Sequence, residues 1–180
     1  MRKAGARIRL RELEERDAEK LYPIWSDPEV VRYLNMQAAA TITEVRSMIY
    51  ILRSLAGRKK AYRWSILDLN TEEILGTCGF NDWDEENARG EIGYELGKQY
   101  WGMGYMEEAL LLLLDHAFIV MEANRIEAKV VPENKPSIHL LEKLHFQHEG
   151  RLRKYERMNG QYEDVMLFSL LKEEFPFFFD

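Results

Sequence analysis

Residues 91–131 run strand, glycine loop, apolar helix, strand, an order that leaves few folds open. EIGYEL (91–96) and RIEAKVV (125–131) read as strands, and between them ALLLLLDHAF carries five consecutive leucines, Leu110–Leu114. A strand–helix–strand unit of this length predicts a βαβ crossover with parallel strands and a right-handed connection. At the helix entrance stands Gln99-Tyr100-Trp101-Gly102-Met103-Gly104. Glycines there let the backbone approach a ligand closely, and the first-turn N–H groups, unpaired within the helix, point outward at the positive end of its dipole. An anion is held in this way.

The rest of the chain surrounds this unit with further elements. Ile8, Leu10 and Leu13 suggest a first strand, and EERDAEKLYPIW an acid-rich helix with Asp17 as its cap. SDPEVVRYL reads as a capped helical turn, while Val45, Met48, Ile49, Leu52 and Leu55 fall at helical spacing within 41–55. YRWSILDL and ILGTCGF, joined by NTEE, predict a hairpin, followed by NDWDEENARG as a loop. PENKPSIHLLEKLHF supplies a short helix entered through Asn134 and Pro136, and two strands around NGQY close the chain. With no repeat, low-complexity linker or composition break, residues 1–180 are expected to form one α+β domain with a mixed, mostly antiparallel central sheet and flanking helices.

Composition excludes several classes. The apolar stretch around the leucines is broken by Asp115 and His116 and falls short of the ~20 residues a membrane span needs, so a core helix is expected. No apolar segment of a signal peptide follows the basic N-terminus, and a cytoplasmic location is the expectation. Cys78 is the only cysteine and reads as a small buried hydrophobe. The four histidines lack metal-ligand spacing, so no metal is expected. A net charge of −6 disfavours a nucleic-acid surface and suits a basic peptide better. The apolar tail FPFFFD (175–180) reads as buried or partner-covered, compatible with a homodimer.

Spacing also sorts the anion-binding motifs. A P-loop needs lysine and then serine or threonine after its last glycine, where Tyr105 and Met106 stand; a dinucleotide fingerprint needs glycine or alanine where Glu107 stands. The remaining pattern, Gln99-x-x-Gly102-x-Gly104, resembles the Q/R-x-x-G-x-G/A signature of the GNAT acyltransferase superfamily. The opening RLRELEERDAEKLYPIWSDPEVVRYL, the GTCGF and EIGYEL strands, Asn134-x-x-Ser137 and the closing GRLRKYERMNGQYEDVMLFSLL are similar to its branch of ribosomal-protein serine and alanine N-acetyltransferases.

This resemblance implies acetyl-CoA as donor. Its pyrophosphate would lie on the backbone from Gly102 to Met106 (Gly102, Met103, Gly104, Tyr105, Met106), flanked by Gln99 and Trp101, where glycine removes side chains from the phosphate contact. The pantetheine arm would pair like an extra strand with EIGYEL, and a backbone N–H near Leu96 would stabilise the oxyanion. It further implies that Ser137, in a pair with Asn134, hydrogen-bonds the coenzyme sulfur and assists its protonation, since Leu141 stands where the superfamily often has a tyrosine acid. Helix capping is the alternative role for Asn134 and Ser137. Glu91, at the start of the strand, is the expected general base, with Glu95 on the same face and Asp84, Glu85 and Glu86 nearby. Tyr94 and Trp101 read as packing residues. His145 replaces the glycine usual before the phenylalanine matched by Phe146. The implied acceptor is a primary amine, preferably a protein N-terminus such as that of a ribosomal protein. The alternatives are a small amine, polyamine or aminoglycoside, or a CoA-binding module without turnover.

Overall fold

The computed structural model describes residues 7–158 and 160–176. Seven strands form one sheet in the order β1-β2-β3-β4-β5-β7-β6. They are β1 (Ile8–Glu12), β2 (Tyr62–Asp68), β3 (Ile74–Asp84), β4 (Arg89–Leu96), β5 (Arg125–Val130), β6 (Gln147–Met158) and β7 (Gln161–Leu171). All neighbours are antiparallel except β4 and β5, which run parallel around the crossover helix. The mixed sheet and the βαβ unit are thus as the sequence predicts.

Helices cover both faces. On one lie α4 (Tyr105–Asp115) and α5 (Lys135–Lys143); on the other lie α1 (Ala18–Trp25), α2 (Pro28–Val31) and α3 (Ile42–Gly57). In α4, Leu110, Leu112, Leu113 and Leu114 are fully buried against the sheet. Each such side chain contributes about 1.5–3 kcal/mol, which seats the helix firmly beneath whatever its N-terminus holds. Past Asp115 the chain widens into one π turn, His116–Val120. Phe175, the first residue of the apolar tail, is buried with its ring 5.1 Å from that of Phe118; residues 177–180 lie outside the described residues.

Two local expectations are corrected, and a third position is accounted for. Asp17 makes no side-chain cap for α1. Instead its buried carboxylate accepts from Glu14 N–H (2.9 Å), Ser65 Oγ (2.8 Å) and Arg11 (2.6 Å). The segment 81–90 is mostly strand rather than loop, since β3 continues to Asp84 through a bulge between Phe80 and Asp82 and β4 begins at Arg89. Its polar side chains hide the pairing because the bulge breaks the apolar alternation. His145 adopts φ 66°, the left-handed conformation that explains a glycine preference there, and the turn still closes through His145 N–H to Glu142 O (3.0 Å) and Phe146 N–H to Leu141 O (3.0 Å).

A polar row crosses the sheet beneath α1. Arg11, Ser65, Thr77 and Glu95 are successive register partners on β1, β2, β3 and β4. Buried polar groups need partners, and the helix side supplies them: Asp17 bonds Arg11 and Ser65, and Trp25 Nε1 donates to Glu95 (2.9 Å). The row fixes α1 over β4, the strand that shapes the site.

Candidate active site

β4 and β5 pair only at Arg89↔Arg125, Gly90↔Ile126 and Glu91↔Glu127. Beyond Glu91 the β5-facing edge of β4 has no strand partner among the described residues. Gly97 N–H donates to Leu75 O on β3 (2.8 Å). Because antiparallel bonding alternates, Tyr94 and Leu96 turn their N–H and C=O groups the other way, to the open edge. The Leu96 carbonyl accepts from the Trp101 indole at 2.9 Å, which ties the glycine loop to the end of the strand.

The loop enters α4 through two left-handed glycines, Gly102 (φ 72°) and Gly104 (φ 79°). Gly104 is the helix N-cap, with no side-chain cap bond, and the first helical bond runs from Glu108 N–H to Gly104 O (3.2 Å). The N–H groups of Tyr105, Met106 and Glu107 therefore stand ahead of the helix as outward donors. A Cβ at Gly102 would meet nothing within 4 Å. Backbone conformation, not crowding by the protein, makes glycine the fitting residue at 102. Gln99 packs its amide near Gly97, and Tyr100 and Tyr105 meet edge to face at 6.3 Å. All the residues of the Gln99–Gly104 motif thus gather between the open edge of β4 and the start of α4.

On the same side, Asn134 caps α5 by accepting from Ser137 N–H (3.3 Å). The Ser137 hydroxyl lies 2.7 Å from the Tyr94 hydroxyl, bridging α5 to β4. Burial pushes the Tyr94 phenol up to about 12, against the opposing effect of the Ser137 bond, so it stays protonated at neutral pH. Tyr94, a packing residue by its sequence, packs against the core and also carries this hydroxyl bond to α5. Its partner is 43 residues away, and only the alternation placing 94 with 92 and 96 on the α4–α5 face hinted at it.

The acids separate clearly. Glu91 sits at the last paired position of β4 and bonds Lys129 Nζ at 2.7 Å. Burial alone would lower Lys129, but bonds to Glu91 and Tyr155 outweigh it and hold the ammonium above its ordinary value. Glu95, on the same face, is buried, and that burial raises its pKa against Arg63, Thr77 and Trp25. Asp84, the last residue of β3, and Glu85, in the turn before β4, bond Asn87 and Lys59. The buried Cys78 thiol is pushed far up by desolvation, which leaves it unreactive. Beside Met158, which packs with Val131 just past β5, a groove is lined by Leu34, Asn35, Met36, Gln37, Arg157 and Gly160.

An open strand edge that can accept an extended amide chain, with an anion cradle at one end, suits a coenzyme carrying both a pantetheine arm and phosphates. The acetyltransferase (GNAT) domain matches residues 7–147. The chain therefore belongs to the GNAT acetyltransferase family, an N-acetyltransferase fold that binds acetyl-CoA. An uncharacterized N-acetyltransferase, p20 of Bacillus licheniformis, is 48% identical over 169 residues, covering 94% of this chain and 95% of its own. The ribosomal protein uS5 alanine N-acetyltransferase of Escherichia coli is 31% identical over 115 residues, 61% of this chain and 57% of its own. Among solved structures, the ribosomal alpha-N-protein acetyltransferase RimL in complex with coenzyme A superposes with a TM-score of 0.86 at 24% identity, covering 94% of this chain and 96% of that one. No helix is long and apolar enough to cross a membrane among the described residues.

Proposed function

We propose that this N-acetyltransferase moves the acetyl group of acetyl-CoA to the N-terminal α-amino group of a protein, with a ribosomal protein as the favoured acceptor class. The observation that carries the reading is the open edge of β4, set between the glycine loop and the Tyr94–Ser137 pair. The N–H groups from Gly102 to Met106 hold the pyrophosphate, with Gln99 and Trp101 framing the loop. The outward backbone groups of Tyr94 bind the pantetheine arm, and the N–H of Leu96, whose carbonyl accepts from the Trp101 indole, faces the developing oxyanion.

The chemistry needs a neutral amine, a polarised carbonyl and a proton for the departing thiolate. An α-amino group with pKa of about 8 is partly neutral at physiological pH, so Glu91, acting through water, suffices as base. The amine nitrogen forms the new C–N bond as the C–S bond breaks. Ser137 passes a proton to sulfur and takes one from the Tyr94 hydroxyl, which is reprotonated from water as Glu91 gives the amine proton back to solvent, while Asn134 fixes the start of α5. We assign the groove beside Met158 to the acceptor; it carries Arg157 and no carboxylate among its described lining residues. The acidic balance of the chain, which favours a basic acceptor, therefore acts at long range rather than in the groove. The E. coli relative named for a ribosomal protein supports this acceptor class.

Thiol release followed across N-terminal peptides and small amines tests the proposal, with mass spectrometry locating the acetyl group. A peptide with a free serine or alanine terminus should be acetylated on that terminus, faster than its N-blocked counterpart carrying the same lysines. Exclusive lysine modification, or turnover only with small amines, rejects the acceptor. Coenzyme binding without turnover on any acceptor rejects the enzyme reading in favour of a binding module.

A further inference from the structure

α4 begins with two carboxylates, Glu107 and Glu108, in its first turn. Acids there stabilise a helix through its dipole, yet they also place two negative charges beside the donors that a phosphate must reach. Both are engaged by cations from elsewhere in the fold. Arg7, just before β1, donates through Nε to Glu108 at 3.0 Å, and the same carboxylate accepts from the backbone N–H groups of Arg7 (2.8 Å) and Ile8 (3.3 Å). Arg7 Nη1 reaches across to the Met103 carbonyl at 2.8 Å, inside the glycine loop, and its guanidinium lies 4.6 Å from the centre of the Tyr105 ring. At the end of α5, Lys143 Nζ bonds Glu107 at 2.6 Å.

We propose that Arg7 and Lys143 are positioning residues of the coenzyme site, neutralising the two first-turn carboxylates so that a pyrophosphate can settle at the N-terminus of α4. The inference rests on the reading that this loop holds acetyl-CoA. The side chains of Arg7 and Lys143 are 46% and 56% exposed. Ion pairs so exposed add little to stability. Their effect is therefore expected in affinity for a polyanion rather than in the melting temperature.

Titration calorimetry and steady-state kinetics on Arg7→Met, Glu108→Gln and the double variant test this. Arg7→Met should raise the Kd and KM for acetyl-CoA by about tenfold while kcat at saturation holds, and acetyl-pantetheine, which lacks the phosphates, should show no comparable loss. Glu108→Gln should bind acetyl-CoA at least as tightly as the parent, and the double variant should recover most of the lost affinity. Equal losses with both donors, or a double variant no better than Arg7→Met, would show a structural brace and overturn the proposal. Should Arg7→Met not fold, Lys143→Met with and without Glu107→Gln reads the same coupling at the surface, and an absence of rescue there counts equally against it. Failure of the parent protein to bind acetyl-CoA would instead remove the coenzyme reading itself.

Discussion

The Tyr94 and Ser137 hydroxyls stand 2.7 Å apart and join β4 to α5 across the side of the sheet that carries the glycine loop. Ser137 also gives its backbone N–H to the Asn134 cap. Capping and the proposed chemistry therefore use different atoms of the same residue, and substitutions can separate them. Ser137→Ala keeps the backbone N–H and its cap bond but removes the hydroxyl. It should lower kcat by about tenfold or more with KM for acetyl-CoA nearly unchanged, as for an interaction made mainly in the transition state. Tyr94→Phe should show the same split to a smaller degree. A loss of thermal stability with no rate defect in either variant would assign both hydroxyls to packing.

The glycine loop yields an ordered series. Gly104 holds φ 79°, and a Cβ there would stand 3.3 Å from Arg7 Nη2. Left-handed backbone costs an ordinary L-residue about 1–2 kcal/mol, less for asparagine. Acetyl-CoA affinity should therefore fall in the order Gly104→Asn, Gly104→Ala, Gly104→Val, with the alanine variant weaker by about tenfold. Calorimetry on folded variants checks the order, and a valine variant binding as the parent does would remove Gly104 from the cradle.

The legible parts of this site are local in sequence. The β4–loop–α4–β5 unit shows in residues 91–131 because strand alternation, two glycines and a leucine run each carry their own physics. Asn134 was equally readable, as asparagine before a Lys-Pro helix start. The hidden parts depend on distant pairing. Nothing near Tyr94 announces Ser137, and nothing near Asp17 announces Ser65, which supplies one of its bonds across 48 residues. Polar NDWD in β3 looks like loop until β4 is laid beside it. In the sequence only resemblance points to β4 as a strand that the pantetheine arm can pair with; the cause of its open edge is the short parallel register with β5, a tertiary fact.

A stability prediction concerns the opposite face. Glu149 bonds Arg125 at 2.6 Å and accepts from Ser169 at 2.7 Å. Arg125 first, then Ser169, holds its carboxyl down at about 2, below its ordinary 4.5. A depressed carboxylate contributes stability that is present above its unfolded pKa and is lost as pH falls through the folded one. Glu149→Gln should therefore be less stable than the parent at pH 6, and the gap should shrink between pH 4.5 and about 2. Denaturant midpoints across that range read it directly, and a gap independent of pH would refute the linkage.

The base assignment is tested by pH in a different way. Glu91, bonded to Lys129, closes the paired end of β4 and is proposed to relay the amine proton through water. With a terminal amine as acceptor, the neutral fraction rises through about pH 8, so kcat/KM should climb with pH and then level off. Tyr94 imposes no falling limb until far higher pH, because its phenol titrates at about 12. Glu91→Gln keeps the shape of the side chain and a polar contact to Lys129 but removes the proton acceptor. Its defect should be largest near pH 7, where the amine still carries its proton, and should narrow by pH 9, where the amine arrives neutral. Stopped-time assays of thiol release with one N-terminal peptide across that range make the comparison. A defect of constant size at every pH, with unchanged acceptor KM, would confine Glu91 to its ion pair with Lys129 and leave solvent as the base.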